Sequence, residues 1–229
     1  MSNVYNHTQP TFRCPDSVIP TAGSKEEQIE MVNNMIRDEG FDFIITTDGS
    51  TFNEKWVSCG MSGAAAVIHG KEISSPALAK LQISLGSESN NYLAELRGIN
   101  IGLKYVQEVA QPVKVLLLCD CKPALESSMS WATAKEYRHI VTDNRRRIQD
   151  LRERGAIIKA AWIPGHSDFG PNEEADALAK AAARRDGSVV YPCETTEVVN
   201  KLKEMVLTNW QNRVDSVMMN EKAQGVKGN

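Results

Sequence analysis

Apolar residues along the chain recur with two different periods, and the first of these predicts strands. Apolar and β-branched residues alternate or run together between turn residues in five segments, 41–50, 59–70, 71–86, 113–120 and 156–164. The fourth segment contains an unbroken apolar run, which is typical of a strand covered on both faces. We therefore predict five strands, of which the first three form a meander.

The second period is that of amphipathic helices. It predicts helices in the segments 24–40, 87–109, 122–130, 135–155, 172–185 and 195–222. Ser24 and Glu27 match a capping box at the start of the first helix, and Gly40 matches its C-terminal cap. In the second helix Gly98 and Gly102 lie off the apolar face, which indicates close packing on another side.

The order of these elements predicts the fold class. Within 41–187 the order is β-β-β-α-β-α-α-β-α, which predicts an α/β fold with a five-stranded mixed sheet and helices on both faces. Residues 1–40 are predicted to form an N-terminal extension with a short helix. Residues 188–229 are predicted to form a linker and a C-terminal amphipathic helix, so the fold carries helical extensions at both ends.

Composition and charge narrow the function classes. The net charge is −3, from 26 basic and 29 acidic residues, so any surface for nucleic acid must be local. No apolar run reaches the roughly 20 residues of a membrane helix, and the N-terminus lacks the apolar region of a secretory signal. Five cysteines without a CxxC pair indicate reduced thiols. We therefore expect an intracellular protein, cytoplasmic or nuclear, without a membrane partner.

Four carboxylates fall at the ends of predicted elements. Asp48 and Asp120 end the first and fourth strands, and Glu95 and Asp176 lie early on two helices. If the two strands are adjacent and parallel, both aspartates lie at the sheet edge where ligands bind. Four acids at one edge repel one another unless some are protonated or a cation binds. An all-oxygen set suits Mg²⁺ or Mn²⁺, and a pair of such ions can hydrolyse a phosphodiester without a serine or cysteine nucleophile.

Each of these residues also has an ordinary explanation when it is taken alone. Asp48 before Gly49 is often a turn former, and Asp120 could cap a strand-to-helix connection. Glu95 and Asp176 could be solvated helix residues, and a loop histidine such as His166 is most often a surface residue. The two thiols that flank Asp120 are expected to be buried cysteines more often than metal ligands. The joint pattern of four acids at one edge favours a site.

Four short motifs in the same order resemble those of ribonuclease H, type 1. These are TTDGS at 46–50, AEL at 94–96, CDCKPAL at 119–125 and WIPGHSDFGPNEEADALAK at 162–180. Each motif is weak alone, but the four in order, with the spacing from His166 to Asp176 kept, are specific. The resemblance covers about 41–185 and implies the ribonuclease H-like fold.

The resemblance also implies a reaction and a role for each site residue. It implies endonucleolytic cleavage of the RNA strand of an RNA–DNA hybrid, with two Mg²⁺ ions for which Mn²⁺ can substitute. Asp48 would bridge both ions, Glu95 and Asp120 would complete the site of one, and Asp176 would hold the other. His166 would help proton transfer or product departure, because histidine ordinarily has a pKa near 6.5.

Substrate contacts are expected beside the acids. Asn90 and Asn91 could contact the backbone or sugar of the hybrid, although they could equally cap the following helix, and Lys122 is a third candidate. The segment 122–159 carries nine basic and five acidic side chains. Its arginines are interpreted as part of a solvated helix with i,i+4 pairs, slightly ahead of a hybrid-binding patch.

The chain departs from the family pattern at three places. Cys121 stands where serine is usual, Asp168 stands where glycine is common, and Gly170-Pro171 inverts the usual order. The segments DCKPAL and LKEMVLTNWQNRVDS are similar to ribonuclease H regions of non-LTR retrotransposon polyproteins. This similarity implies that the chain is part of a retrotransposon reverse transcriptase or is derived from one. It also implies a partner, a reverse transcriptase or another protein, that binds through the terminal helices.

Two other functions stay open at the level of sequence. One is a catalytically inactive ribonuclease H fold used as a scaffold or interaction module, although such a protein has no electrostatic reason to keep four mutually repelling acids. The other is a different nuclease or transferase of the same fold. A proofreading-type exonuclease would place Asp-x-Glu on the first strand, and TDGST lacks it.

Overall fold

The computed structural model describes most of residues 17–184 and part of a C-terminal segment. The described residues are 17–18, 23–52, 61–86, 89–109, 113–130, 134, 136–184, 206–208 and 210–216. The chain divides into two compact units, residues 1–191 and 192–229. In the second unit, residues 206–208 and 210–216 are helical, in agreement with the predicted C-terminal helix, whose other residues lie outside the described ones.

The first unit contains a mixed sheet in the order β1-β6-β5-β2-β3-β4. Its strands are β1 (Ser17–Val18), β2 (Phe43–Phe52), β3 (Met61–His69), β4 (Ala79–Gly86), β5 (Lys114–Cys119) and β6 (Ile157–Trp162). The meander β2-β3-β4 is antiparallel, whereas β2, β5, β6 and β1 run parallel. The predicted five-stranded mixed sheet is confirmed, and the two-residue β1 extends it beside β6.

The described part of the first unit has five helices. They are α1 (Lys25–Glu39), α2 (Asn91–Glu108), α3 (Lys122–Met129), α4 (Arg138–Glu153) and α5 (Gly170–Ala183). The capping box of Ser24 and Glu27 is present, and Gly40 ends α1 with a φ of 62°. Together with the sheet, these helices confirm the predicted fold class.

The third strand of the meander is shorter than predicted. The sequence prediction extended it over 71–86, but β4 begins only at Ala79. Residues 71–78 form a connection in which Ser75 N donates to Glu72 O at 3.3 Å and Leu78 N donates to Ile68 O at 2.7 Å. Pro76 lies in this connection and has no amide hydrogen for a sheet ladder, which explains the error.

Helices cover both faces of the sheet. Successive residues of β5 point to opposite faces, so Leu117 lies in one core cluster while Leu116 and Leu118 lie in another. The first cluster contains the buried residues of α2, α3 and α4, and the second contains those of α1. The unbroken apolar run in β5 is therefore explained by burial on both sides, as the sequence predicted.

Close packing of α2 against the sheet determines where its acidic residue lies. A Cβ atom on Gly98 would come within 2.9 Å of Ala65 O, and one on Gly102 within 2.6 Å of Ile45 Cγ2. Neither glycine could carry a side chain without moving the helix away from β2 and β3. The predicted second packing side of α2 is confirmed, and it brings Glu95 to the edge of the sheet.

Candidate functional site

The parallel pairing of β2 and β5 brings two acids together. Thr47 is in register with Cys119 at the end of the ladder, so Asp48 and Asp120 follow at the same edge. Asp48 is buried, and Asp120 lies just beyond the last residue of β5. The adjacency that the sequence argument required is therefore present. The prediction that Asp48 ends its strand was wrong, because β2 pairs with β3 as far as Phe52 and only its ladder with β5 stops at Thr47.

The other two acids reach this edge from helices. Glu95 lies in the first turns of α2 and is only 3% exposed. A Cβ atom on Gly49 would overlap the backbone nitrogen of Glu95, so α2 can approach β2 this closely only because Gly49 has no side chain. Asp176 lies on α5, and its side chain is 32% exposed.

These side chains line one open cavity of about 710 Å³. Its lining includes all four predicted acids and His166, together with Gly49, Asn91, Asp168, Asn172, Glu173 and Lys180. The structure therefore brings together the five residues that the sequence predicted to be catalytic. Six of the lining side chains are acidic, and Lys180 and His166 are the basic ones among them.

Burial and mutual repulsion perturb the acids strongly. Desolvation, followed by the charges of Asp120 and Asp176, raises the pKa of Asp48 to about 8. Desolvation, followed by repulsion from Asp48 and Asp120, raises the pKa of Glu95 well above its usual value. Burial also raises the pKa of Asp120. The protein itself thus supplies too little positive charge to offset the burial and mutual repulsion of these three carboxylates.

The donor set fits a hard divalent cation. Asp48 Oδ2 is buried and has no hydrogen-bond partner among the described residues, which is costly for an oxygen unless a cation or water binds it. Carboxylate oxygens are the ligands that Mg²⁺ and Mn²⁺ prefer. The residues present therefore fit the metal that the sequence prediction requires.

The thiols of Cys119 and Cys121 flank Asp120, and the first of them lies close to the carboxylates. Ligand atoms of Glu95, Cys119 and Asp120 lie within 4.8 Å of one another, and Cys119 Sγ is 3.9 Å from Glu95 Oε2. Cys119 is fully buried, and Cys121, at the N-cap of α3, is partly buried against the core. Burial raises the pKa of both thiols, that of Cys121 to about 12. They are therefore protonated packing groups at neutral pH, as the sequence analysis favoured.

His166 lies on an exposed and strained loop between β6 and α5. Its φ is 52° and that of Asp168 is 51°, both in the left-handed region that residues with a Cβ rarely adopt. Gly165 lies against the acids, since a Cβ atom there would be 3.1 Å from Asp120 Oδ2. The loop thus presents the histidine at the rim of the cavity.

Three side chains of α5 that line the cavity were not predicted, Asn172, Glu173 and Lys180, and the first and last of these contact the predicted acids. Lys180 Nζ lies 2.6 Å from Asp176 Oδ2, and Asn172 Nδ2 donates to Asp120 Oδ2 at 3.5 Å. Asn172 lies one helical turn before Asp176, and Lys180 lies one turn after it. This i,i+4 spacing is the signal in the sequence that could have identified them.

The predicted substrate contacts fall in different places. Asn91 lines the cavity and donates to Glu95 Oε1 at 3.4 Å. Asn90 instead caps α2, and its Oδ1 accepts from Leu93 N at 2.9 Å. Lys122 is the first residue of α3 and lies 4.0 Å from Glu126. A role in substrate binding stays a prediction for all three.

The arginines of α4 make intramolecular contacts of the kind expected for a solvated helix. Arg146 and Arg147 each lie 3.0 Å from Asp143, at i,i+3 and i,i+4 spacing. Arg145 Nε donates to the backbone oxygen of Ser127 at 2.9 Å. These three arginines of α4 therefore already bind an acid or a backbone oxygen of the protein itself, in agreement with the solvated helix that the sequence analysis favoured over a hybrid-binding patch.

A match to a family model decides the identity of the domain. Residues 41–184, which are 144 of the 229 in the chain, match the model of the RNase H family. The chain belongs to the ribonuclease H (RNase H) family. The family assignment from the four motifs is thereby confirmed, with nearly the same boundaries.

Solved structures share the fold of this RNase H domain at low sequence identity. The RNase H domain of prototype foamy virus is 17% identical with a TM-score of 0.53, over 63% of this chain and 95% of that one. LC9-RNase H1, described as a type 1 RNase H with the type 2 active-site motif, is 14% identical with a TM-score of 0.52, over 69% and 84%. No curated protein matches the chain.

A longer viral protein contains the same fold. The protease–reverse transcriptase of prototype foamy virus is 19% identical with a TM-score of 0.53, over 63% of this chain. The match spans only 21% of that viral chain. Within the described part of the RNase H chain, no helix is both long and apolar enough to cross a membrane.

Proposed function

We propose that the chain is an endonuclease that hydrolyses the RNA strand of RNA–DNA hybrids with two divalent cations. The observation that carries this proposal is the buried and unpaired Oδ2 of Asp48, next to two further carboxyls whose pKa values are raised. Membership of the RNase H family supplies the reaction class. A site with this excess of buried acid is explained by cation binding and by no structural role that we can identify.

Four side chains would hold the cations. Asp48 lies centrally and would contact both ions, Glu95 and Asp120 would complete one site, and Asp176 would complete the other. Mg²⁺ is the expected ion, and Mn²⁺ should substitute. Bound there, the ions would activate water and stabilise the negative charge that develops on the phosphate and the leaving oxygen.

The remaining cavity residues would position these acids and move protons. Asn172 donates to Asp120, and Asn91 donates to Glu95, so each orients a carboxylate. His166, at the exposed rim, would accept or deliver a proton at the phosphate or assist departure of the product. Lys180 neutralises Asp176 until a cation or substrate arrives.

The substrate would be recognised by its shape and its sugars. A hybrid differs from DNA in its 2′-hydroxyl groups and minor groove, and Asn91 is the predicted contact residue that lines the cavity. We further propose an origin in a retroelement, which the fold shared with foamy virus reverse transcriptase supports. Binding of a reverse transcriptase through the terminal helices remains a prediction.

The deciding experiment is a cleavage assay on matched duplexes. The full chain should cut an end-labelled RNA–DNA hybrid internally in Mg²⁺ or Mn²⁺, but should not cut the corresponding DNA duplex, and EDTA should abolish cleavage. Glu108→Gln is the control for variants of the cavity acids such as Asp48→Asn. It removes an exposed carboxylate at the far end of α2 and should cut the hybrid as the wild type does. Wild-type protein that fails to cut the hybrid with either ion, yet binds it or a protein partner, would support the scaffold alternative.

A further inference from the structure

We infer that the N-terminal helix α1 is a part of the catalytic apparatus, because it holds the loop that carries His166. Helix α1 lies outside the region that matches the family model, which begins at residue 41. The inference rests on the proposed function, since His166 needs a fixed position only if it acts on a substrate. It assigns Lys25 as a positioning residue that acts through the loop.

Both ends of the histidine loop are anchored in a core cluster to which α1 contributes. Ile163 precedes the loop and Phe169 closes it, and they are 0% and 4% exposed. Both belong to the same buried cluster as Val32, Met35 and Ile36 of α1. The residues between them, 164–168, are held at each end by apolar contacts with this layer.

Lys25 provides a third attachment in the middle of the loop. Its Nζ donates to the backbone oxygen of Gly165 at 3.1 Å and lies 3.5 Å from that of His166. The capping box of Ser24 and Glu27 fixes the start of α1 and therefore the position of this lysine. A cation at a helix N-terminus opposes the helix dipole, so helix stability does not explain a lysine here.

The loop needs such attachments because its backbone is strained. His166 and Asp168 both have left-handed φ angles, and residues in this region keep them only where surrounding structure holds them there. A Cβ atom on Gly165 would be 3.1 Å from Asp120 Oδ2, so the residue whose carbonyl Lys25 binds lies next to one of the acids that are proposed to hold a cation. Releasing it would therefore alter the position of His166 relative to the cavity.

The first test measures the loop without using activity. Backbone amide order parameters of Gly165 and His166 should be near 0.85 in the wild-type chain and fall toward about 0.6 in Lys25→Met. Lys25→Arg keeps a cationic donor and should retain most of the rigidity. Lys71→Met, an exposed lysine in the connection between β3 and β4, is the matched control and should change nothing.

The second test is a double-mutant cycle on cleavage of the hybrid. Lys25→Met should lower kcat about threefold to tenfold with little change in KM, as expected for the loss of one hydrogen bond at an exposed position. Lys25→Arg should restore most of that loss. In a His166→Ala background, Lys25→Met should have no further effect, because both changes act through one group.

The outcomes separate this inference from the proposed function. If the wild-type chain does not cut the hybrid, the proposed function fails, and the order parameters still decide whether Lys25 holds the loop. If Lys25→Met leaves the loop as rigid as in wild type, the inference is wrong. It is also wrong if the effects of Lys25→Met and His166→Ala on kcat multiply independently.

Discussion

The two halves of the acidic cavity differ in burial and packing. Asp48 and Glu95 are 5% and 3% exposed, and they lie on elements that pack through glycine with no space for a side chain. Asp176 and His166 are on the other side, where the first is partly exposed and the second lies on a strained, exposed loop. One half is built like a protein core and the other like a surface.

This difference divides the work of the proposed reaction. The buried half concentrates negative charge in a place with little solvent, which raises the pKa of its acids and gives a cation its largest electrostatic gain. The exposed half is open to a substrate and can exchange protons with water. Changes in the buried half should therefore abolish function or folding, and changes in the exposed half should only reduce it.

The largest expected effect is a loss of cleavage rate when one residue of each half is replaced. Asp48→Asn removes the charge that would contact both ions and should lower kcat by about a thousandfold or more, since cation stabilisation of this kind is worth several kcal/mol. His166→Ala removes one proton-transfer group and should cost about a hundredfold. Initial rates on the labelled hybrid at saturating Mg²⁺ measure both, with circular dichroism as the check on folding. Equal losses would contradict the division between the halves.

A large effect is also expected on stability when pH is varied without metal. The pKa of Asp48 is about 8 in the folded chain, compared with 3.8 ordinarily. Asp48 therefore binds more protons in the folded state than in the unfolded state between these values, and its contribution to stability falls as pH rises through them. We expect Tm in EDTA to drop by on the order of 5 °C or more from pH 5 to pH 8.

Mg²⁺ should reverse this loss, because the ions bind only the folded site. The gain in Tm with millimolar Mg²⁺ should be greater at pH 8 than at pH 5, where protons compete for the same oxygens. Asp48→Asn should remove most of both the pH dependence and the gain. A Tm in EDTA that rises steadily with pH would contradict the assignment of Asp48 as the buried acid.

A smaller effect is expected from adding one methyl group to each half. Gly49→Ala places a Cβ against the backbone of Ala94 and Glu95, and the helix must move, so unfolding free energy should fall by about 1–3 kcal/mol. Gly165→Ala meets only the side chain of Asp120, which can rotate, and should cost less than about 1 kcal/mol. Urea denaturation monitored by tryptophan fluorescence compares the two. Equal costs would show that the halves are packed alike.

The smallest effect is expected at the departure from the family pattern in the loop. Asp168→Gly relieves the left-handed strain at φ 51°, but glycine also gains conformational entropy in the unfolded chain. The two terms oppose each other, so unfolding free energy should change by less than about 1 kcal/mol. The same denaturation experiment measures it. A loss above 2 kcal/mol would mean that the Asp168 side chain itself holds the loop.

Much of the site could be predicted because its positions follow from local patterns. An apolar run that ends in an acid places Asp120 directly after β5. The alternation of 41–50 places Asp48 on β2, although this strand continues past it to Phe52. Parallel pairing of those two strands then brings the acids together. The strand predicted over 71–86 was wrong over its first eight residues. The periodicity of side chains does not show whether backbone groups bond to a neighbouring strand or, as for Ser75 and Glu72, within a local turn.

Other parts of the site depend on contacts that no local pattern contains. Lys25 is separated from Gly165 by 140 positions, and its position follows from the packing of α1 on the sheet. Gly49 must be a glycine because α2 packs so closely on β2 that a Cβ atom would overlap the backbone of Ala94 and Glu95. Only the tertiary structure shows this contact.

The sequence alone determined most of the elements, the order of the strands in the meander and the four acids, since period and spacing are properties of short segments. The tertiary structure decided how deeply each acid is buried, which is what sets its pKa. It also decided that α1 lies against the histidine loop. Burial and approach depend on how elements separated in the chain pack against one another, and hydrophobic period alone does not specify that packing.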